Sequence, residues 1–470
     1  MPKLDNRGVV THALMLVILV VGVAAGVYLV KTPQILKTNA ADTENSVMES
    51  IQGALTEVAF SNCTDSDEGR NPGTTGTIYL KGKKYNSDFC NFNDSPAFKN
   101  KKVLEYWCES PNSTVVKQEW IDCSGGCNNG ACITASVTSP KTLFAYYYDW
   151  YSGSPPYLHW SDNNHTPPAD LYSAYYPHLG PYDSGDINVI DQHMRWLKVA
   201  KVDVILVSFW GKDHQWSKEA TIDKIINKAG QYGIKVAFML EPKKAAEHLA
   251  SIAYLVDRYG NNTAFYKVVR PTLYGKSTSP RPTFWIYQPM MAYQDSRITP
   301  DQIKADFRSK IDTLRGTAYD SIILIENTKE AMLTPDGPKY DLDQYHSDGM
   351  FNYDADIDYA GKTFAKSSNY IAAVQVAPGF DNRKAGGDIV IDRQKGQKYD
   401  SMWSEVARQK PEWVVVLSFN EWGEGTQIEP AKAYPANYLD YQGHYNYPGF
   451  ISLAAYLWRT AYWVDQYKKD

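Results

Sequence analysis

The chain has 470 residues, of which 43% are hydrophobic and 21% charged, so it is long and apolar enough to bury a large core and is not intrinsically disordered. Its formal net charge of −5 and the absence of a long basic run argue against nucleic acid as a partner, because phosphate binding needs clustered Lys and Arg. The 35 Tyr and 13 Trp residues supply rings that stack on sugars, although a large core would also use them.

The N-terminal segment contains a long apolar run. Residues 13–30 are continuously apolar or small, about 18 positions that give a helix of roughly 27 Å, close to the thickness of a bilayer core. We predict a single-pass membrane anchor over residues 1–31, with a cleaved signal peptide as the alternative. The polar residues 32–59 are predicted to form a stalk.

All six cysteines fall within residues 60–134. They are Cys63, Cys90, Cys108, Cys123, Cys127 and Cys132. An even number in a short polar segment predicts a small module with three disulfides, whose pairing the spacing leaves open. Zinc is the alternative, but this segment has no His and no Cys-x-x-Cys pair. Because disulfides need an oxidising compartment, we expect everything after the anchor to be extracytoplasmic, at a cell surface or in a lumen.

Residues 135–142 are predicted to be a linker, and residues 143–470 show short apolar runs alternating with amphipathic stretches. The strand candidates are Leu143–Tyr148, Asp203–Ser208, Ile234–Leu240, Thr283–Tyr287, Ser321–Ile325, Gly349–Phe351, Tyr370–Val376 and Trp413–Phe419. Helical spacing is present over Ile187–Ala200, Lys218–Tyr232, Lys244–Tyr259, Pro300–Leu314, Ile357–Ala365, Gln397–Gln409 and Gly449–Asp465. This alternation predicts an α/β fold, a (β/α)8 TIM barrel.

Active sites of such barrels lie at the carboxyl ends of the strands, so the residues that follow each strand candidate are candidates for substrate contacts. These residues are polar or aromatic, namely Tyr148, Trp150, Trp210, Glu241, Glu326 and Tyr353. Each of them alone could be a packing residue or a helix cap. Their expected convergence on one face of the barrel favours a binding site.

The last strand candidate runs into an acidic, glycine-rich loop that carries Glu421 and Glu424 on either side of Gly423. Two carboxylates close together beside an aromatic ring, here Trp422, suit cleavage of a glycosidic bond, in which one acid protonates the leaving oxygen. Many barrel glycosidases carry their acids after the fourth and seventh strands, but neither strand candidate is followed directly by a carboxylate here. The catalytic pair is therefore predicted within this one loop.

The loop sequence Phe419–Pro430, FNEWGEGTQIEP, resembles the signature of glycoside hydrolase family 99, the endo-acting α-mannosidases and α-mannanases. Further matches in the order typical of the family lie between residues 143 and 456. They are Trp150-Tyr151, Ser208-Phe209-Trp210-Gly211, Leu240-Glu241-Pro242, Pro378-Gly379-Phe380-Asp381 and Arg393 before Gly396. The resemblance departs from the family pattern at Gly423, where His is usual, at Lys243, where Tyr is frequent, and at Tyr148-Asp149-Trp150, which replaces a Tyr-Pro-Trp pattern.

The resemblance implies a retaining hydrolase of α-mannosides that needs no cofactor or metal. By motif position, Glu421 assists the sugar 2-hydroxyl in forming a 1,2-anhydro sugar, and Glu424 is the general acid and base. The substrate-binding residues implied by strand ends and motif are Tyr148, Trp150, Trp210, Glu241, Tyr353, Asp381, Arg393, Asn420, Trp422 and Gln427. The expected partner is a mannose-containing oligo- or polysaccharide.

Two other functions fit parts of the same pattern. A glycosyltransferase-like protein of a polysaccharide gene cluster would share the Glu-Trp-x-Glu-Gly loop, but Thr426-Gln427-Ile428-Glu429 and the expected extracytoplasmic location favour a hydrolase. A non-catalytic carbohydrate-binding or coat protein would keep the barrel and not the acids. The presence of both Glu421 and Glu424 argues against that alternative.

Overall fold

A computed structural model describes residues 63–90, 102–132 and 141–469, except 68, 73, 111–112, 124–126, 129, 276, 278, 295–296, 334–341 and 434–436. The predicted anchor, the predicted stalk and residues 135–140 of the predicted linker lie outside the described residues. Within the described ranges, no helix is both long enough and apolar enough to cross a membrane. The chain divides into two compact units, Met1–Ser136 and Val137–Asp470.

The first unit, here called the cysteine module, consists of short antiparallel strands. They span Cys63–Asp65, Thr77–Leu80, Lys83–Ser87, Phe89–Cys90, Lys102–Cys108, Val116–Asp122, Cys127–Asn128 and Ala131–Cys132, and they form two three-stranded sheets and one two-stranded ribbon. The predicted disulfides are confirmed, with the pairings Cys63–Cys108, Cys90–Cys127 and Cys123–Cys132. All six cysteines are used, so no thiolate remains for the zinc alternative.

The second unit contains the predicted barrel. Its eight strands are β1 (Thr142–Tyr147), β2 (Val204–Phe209), β3 (Lys235–Leu240), β4 (Arg281–Ile286), β5 (Ile322–Glu326), β6 (Gly349–Phe351), β7 (Ile371–Val376) and β8 (Trp413–Val416). Neighbouring strands pair in parallel around the barrel, and the pairing of β8 with β1 closes it. Every residue of β1, β2, β4 and β7 is buried, as expected where helices cover the outside of a parallel sheet.

The barrel strands match the predicted ones closely. Both ends of each strand lie within two residues of the predicted positions, except that β8 ends at Val416 rather than at Phe419. Beyond Val416 the chain leaves the regular ladder, although the Phe419 N–H still donates to the Tyr146 carbonyl at 2.8 Å. This early departure begins the acidic loop. Short strands outside the barrel span Lys267–Val268, Phe380–Asp381 and Val390–Ile391.

The helices of the second unit are α1 (Ile187–Val199), α2 (Glu219–Gln231), α3 (Ala245–Tyr259), α4 (Pro300–Leu314), α5 (Lys329–Met332), α6 (Gln397–Gln409) and α7 (Ala455–Lys468). Short 3-10 helices span Asp162–Asn164, Met291–Tyr293, Gln394–Gly396, His444–Asn446 and Gly449–Ala454. Helices α1 to α4 begin at or next to the predicted positions, because their apolar residues recur at helical spacing on the buried face.

The predicted helix Ile357–Ala365 is wrong. This segment is irregular, and its apolar residues are buried without helical backbone hydrogen bonds. The Tyr359 hydroxyl donates to the Gln375 carbonyl at 2.6 Å, and the Ala365 N–H donates to the Met332 carbonyl at 3.0 Å. Gly361, at a φ of 68°, interrupts any helix between them. The apolar spacing therefore reflects packing against the barrel rather than helical periodicity.

Candidate active site

A cavity of about 670 Å³ lies at the carboxyl ends of the barrel strands. Residues that follow seven of the eight barrel strands line it. They include Tyr148 and Trp150 after β1, Trp210 after β2, Glu241 after β3, Tyr353 after β6, and Glu421 and Glu424 after β8. These seven sequence-predicted site residues are thus brought together at one cavity, as expected for the carboxyl ends of parallel barrel strands.

The loop that carries the two acids is a tight bend held by its own polar groups. The Glu421 N–H donates to the Ser418 hydroxyl at 2.7 Å, and the Ser418 N–H donates to the Thr426 carbonyl at 2.9 Å. Gly425 adopts a φ of 64°, and a Cβ there would lie 3.0 Å from the backbone nitrogen and oxygen of Asp381. Glycine is therefore required at this position both for its backbone angle and for the close approach of a neighbouring strand.

Glu424 is held by a tyrosine pair. The Tyr353 hydroxyl donates to Glu424 Oε2 at 2.9 Å, and the hydroxyls of Tyr148 and Tyr353 lie 2.7 Å apart. Burial raises the pKa of Glu424 to about 7, against a smaller lowering by the hydrogen bond from Tyr353. A carboxyl with this pKa carries a proton on a large fraction of molecules near neutral pH, as a general acid requires.

Glu421 has an oxygen without a partner. Its Oε1 accepts the Gly423 N–H at 3.1 Å, whereas its Oε2 is buried and has no hydrogen-bond partner among the described residues. Burial, and then the charge of Glu424, raise the pKa of Glu421 well above its ordinary value. A buried, unsatisfied carboxylate oxygen is costly for folding, which makes it a candidate acceptor for a substrate hydroxyl.

A third acid, Glu241, lines the same cavity. The Ser208 hydroxyl donates to Glu241 Oε1 at 2.6 Å. Burial raises the pKa of Glu241 to about 8, so this side chain is mainly neutral at pH 7 and can donate a hydrogen bond to a ligand.

Aromatic rings form much of the remaining wall. The rings of Tyr148 and Trp150 lie 4.7 Å apart, and those of Trp210 and Trp216 lie 4.7 Å apart at a near-right angle. His159 lies between the two pairs, 4.7 Å from Trp150 and 5.0 Å from Trp216. Such an aromatic wall beside paired carboxyls suits a sugar ring, whose C–H faces stack on aromatic rings while its hydroxyls bond to acids.

The sequence profile of glycosyl hydrolase family 99 matches residues 140–469. The chain belongs to this family. Human glycoprotein endo-alpha-1,2-mannosidase-like protein is 31% identical over 373 residues, which cover 70% of this chain and 76% of the relative. Rat glycoprotein endo-alpha-1,2-mannosidase is 30% identical over 373 residues, covering 70% of this chain and 75% of the relative.

A solved structure supports the same assignment for this family 99 chain. The GH99 endo-alpha-mannosidase from Bacteroides thetaiotaomicron, in complex with bis-tris propane, aligns with a TM-score of 0.54 at 28% sequence identity. The alignment covers 70% of this chain and 97% of that structure. The predicted family and the predicted glycoside hydrolase are thereby confirmed.

Three of the predicted substrate-binding residues belong to the acidic loop but do not line the cavity. Asn420 bonds with both amide atoms to the backbone of Tyr148, each at 2.8 Å. The Trp422 indole N–H donates to Glu429 Oε2 at 2.9 Å, and the Gln427 amide donates to the Tyr441 hydroxyl at 3.0 Å. The Asn420 contact holds the acidic loop against the end of β1, and the other two hold it to the residues that follow.

The other two, Asp381 and Arg393, also contact protein groups. The Arg393 guanidinium is buried among the rings of Tyr175, Tyr441 and Tyr456, each centred within 5.0 Å of it. Its Nη2 donates to the carbonyls of Gly425 and Gln427 at 2.8 Å each. Asp381 instead pairs with Arg383 at 2.6 Å. Arg393 therefore supports the backbone of the acidic loop.

Sequence reasoning did not select several residues of the cavity wall. These are His159, Asp162, Tyr172, Trp216, Tyr287, Gln288 and Asn382. His159, Asp162 and Tyr172 belong to the long segment between β1 and α1, which has no regular strand or helix of its own apart from one 3-10 turn. Its length and its concentration of aromatic residues are the features from which its role could have been predicted.

Proposed function

We propose that this chain hydrolyses α-mannosidic linkages within mannose-containing glycans, with retention of anomeric configuration. The observation that carries the proposal is the pair Glu421 and Glu424 at one aromatic-lined cavity, where Glu421 presents a buried oxygen without a protein partner. The relatives named endo-alpha-1,2-mannosidase supply the choice of sugar. The chain covers about three quarters of those relatives, 76% and 75% of their lengths.

The proposed reaction has two steps. In the first, Glu421 takes the proton of the 2-hydroxyl, O2 attacks C1, the bond from C1 to the leaving oxygen breaks, and Glu424 protonates that oxygen. In the second, water gives a proton to Glu424 and attacks C1 of the 1,2-anhydro sugar, while O2 recovers its proton from Glu421. Two inversions at C1 give net retention, and both carboxyls return to their starting states.

This sequence needs a single proton on the carboxyl pair, located on Glu424 once substrate is bound. Burial raises the pKa of both acids, so the pair retains a proton near neutral pH. A 2-hydroxyl donating to the free Oε2 of Glu421 would favour its ionised form, leaving the proton on Glu424 beside the leaving oxygen. Neutral Glu241 and the wall tryptophans would hold the sugar ring in place.

Internal, or endo, cleavage is supported by the extent of the cleft. A second cavity of about 730 Å³ shares Gln288, Met291 and Tyr353 with the first, so the two adjoin at Tyr353. Together they accommodate sugar residues on both sides of a scissile bond. Glu326, the acid predicted after the fifth strand, lines the second cavity and is placed to contact a neighbouring sugar.

We further propose that the enzyme acts outside the cytoplasm, tethered through residues 13–30. The three disulfides of the cysteine module support an oxidising compartment. The apolar run of residues 13–30 has the length of a bilayer span. Fractionation of cells, with carbonate extraction and protease protection, tests this location; release of the protein by carbonate would exclude an integral anchor.

The activity is tested with purified protein on α-mannan and on glucose-capped mannosides, with products separated by size and the first-released anomer identified by NMR. We expect oligosaccharide products of retained configuration. Glu421→Gln and Glu424→Gln are each expected to lower kcat about 10²- to 10⁴-fold. Glu247→Gln, at an exposed position in α3, is the matched control and is expected to keep parental activity. Near-parental activity in either acid variant would refute the assignment.

A further inference from the structure

Three carboxylates from separate parts of the cysteine module meet at one point. Asp67 follows the first strand, Asp88 lies between Lys83–Ser87 and Phe89–Cys90, and Glu105 lies in the middle of Lys102–Cys108. One oxygen from each lies within 4.8 Å of the others. The cluster is remote in sequence from the barrel acids and belongs to a different unit.

The oxygens of this acidic trio are only partly satisfied by the protein. Asp88 accepts the N–H groups of Tyr106 and Gly76, at 2.8 and 2.5 Å, and Glu105 Oε1 accepts the Asn71 N–H. Glu105 Oε2 and both carboxylate oxygens of Asp67 are buried without a hydrogen-bond partner among the described residues. Glu105 is 0% exposed, so its free oxygen is closed off from solvent, and the carboxyl group lies within reach of the other two.

The trio also lacks a bonded cation. No Lys or Arg of the described residues forms an ion pair with any of the three, and nearby Arg70 pairs with Glu119 at 2.7 Å. Three clustered acids, of which Asp88 and Glu105 are buried, are costly for a module this small when no described Lys or Arg pairs with them, unless something positive joins them.

We propose that Asp67, Asp88 and Glu105 bind a divalent cation, and that the ion is Ca²⁺. Three carboxylates with oxygens within 4.8 Å of one another, two of which keep unpartnered oxygens, are ligands that hard cations take. Zinc would prefer thiolate or imidazole, and this module offers neither, because its cysteines are all disulfide-bonded and residues 60–134 contain no His. Ca²⁺ tolerates irregular oxygen geometry better than Mg²⁺, and backbone carbonyls or water can complete its coordination.

The bound ion would stabilise the module without entering catalysis. It would neutralise the trio and join the turn at Asp67 to the Asp88 connection and to the strand that carries Glu105, in a unit whose buried apolar groups are few. Extracellular modules of this kind bind Ca²⁺ with dissociation constants of roughly 10⁻⁴ to 10⁻³ M. The proposal does not depend on the substrate of the barrel, so its failure would leave the proposed hydrolase untouched.

The test is calorimetric titration of the EDTA-treated full chain with CaCl₂, and separately with MgCl₂, in two buffers of different ionisation enthalpy. We expect one Ca²⁺ site per chain, weaker Mg²⁺ binding, and release of protons on binding, because ligand carboxyls must lose them. Asp67→Asn and Glu105→Gln are expected to weaken Ca²⁺ binding at least tenfold. Asp122→Asn, an exposed acid paired with Lys102 in the same module, is the control and is expected to bind normally.

A melting experiment distinguishes a cation site from acids that simply hold protons. With Ca²⁺ at ten times its dissociation constant, the melting transition of the parental module is expected to rise by about 5–10 °C, and that of Asp67→Asn to stay constant. In EDTA, Asp67→Asn is expected to melt higher than the parent because it removes one of three repelling charges. Absence of saturable binding, or equal binding by parent and Asp67→Asn, would overturn the proposal.

Discussion

The barrel and the cysteine module both bury carboxyl groups, but they are held together by different means. The barrel has one continuous apolar core and no cysteine, and its acidic loop rests on hydrogen bonds and on the Arg393 guanidinium. The module has two small apolar clusters and three disulfides. A large core can support a partly unsatisfied site through packing and hydrogen bonds, whereas a small unit that buries charge relies on covalent links.

The largest expected effect in the barrel follows loss of Arg393. Arg393→Met removes two charge-assisted hydrogen bonds to loop carbonyls and leaves those carbonyls buried, so we expect a loss of about 3–5 kcal/mol in the free energy of unfolding of the barrel. Activity should fall with it, because the loop positions both acids. Thermal unfolding and kcat measure the two effects. Arg383→Met, which removes an exposed guanidinium, is the control, and a substrate-contact role for Arg393 would instead raise KM without changing stability.

The matching experiment in the module removes one disulfide. Cys63 and Cys108 are separated by 45 positions, so their bond closes a loop worth about 4 kcal/mol of stability in the chain-entropy estimate. We expect the double variant Cys63→Ser, Cys108→Ser to unfold its module at much lower denaturant concentration while the barrel keeps its activity. Limited proteolysis and kcat report on the two units separately. Equal loss of activity would show that the units do not fold independently.

A smaller effect is expected at Gly423, where the family usually has His. A Cβ at this position would lie 2.8 Å from Tyr172 Cε1 and 3.1 Å from Glu421 Oε1, so Tyr172 occupies space that a larger side chain would need. Gly423→Ala is expected to lower kcat/KM about tenfold, as overpacking by one methyl group typically costs 1–3 kcal/mol. In a Tyr172→Ala background the same substitution should be nearly neutral. An equal loss in both backgrounds would refute the contact.

The smallest expected effect is a shift in pH dependence. In the proposed mechanism, activity falls on the alkaline side as Glu424 loses its proton near pH 7. The Tyr353 hydroxyl stabilises the ionised form, so Tyr353→Phe should raise the pKa of Glu424 and move this limb to higher pH by roughly half a unit to one unit. Tyr287→Phe, in the same cavity, is the control. A shift to lower pH would contradict the hydrogen-bond direction.

The regular barrel strands were predictable from sequence, whereas the irregular segments and the disulfide pairing were not. The barrel strands are short runs of mostly apolar or aromatic residues that are buried on both sides, so their positions show directly in the sequence. Residues 357–365 place apolar side chains at helix-like intervals but pack irregularly, and apolar spacing alone cannot distinguish that from a helix. Disulfide pairing depends on which strands of the module meet, and the spacing of the cysteines does not determine it.

The candidate site shows the same limit. Strand ends predicted Tyr148, Trp210 and Glu241 as site residues, and all three line the cavity because parallel strands deliver their carboxyl ends to one place. Motif order also selected Asn420 and Arg393, but a motif does not say which side chains face the ligand and which face the protein. The sequence did not predict the acidic trio for a related reason: its three members come from separate turns and strands and share no spacing pattern.

The closure of the barrel also fixes when the enzyme can become active. Asn420 anchors the acidic loop to the backbone of Tyr148, 272 positions earlier in the chain. During synthesis, Tyr148 leaves the ribosome long before Asn420 does. The newly made chain is therefore expected to be inactive while it folds. It is expected to become active in one late step, when the final strand pairs with the first.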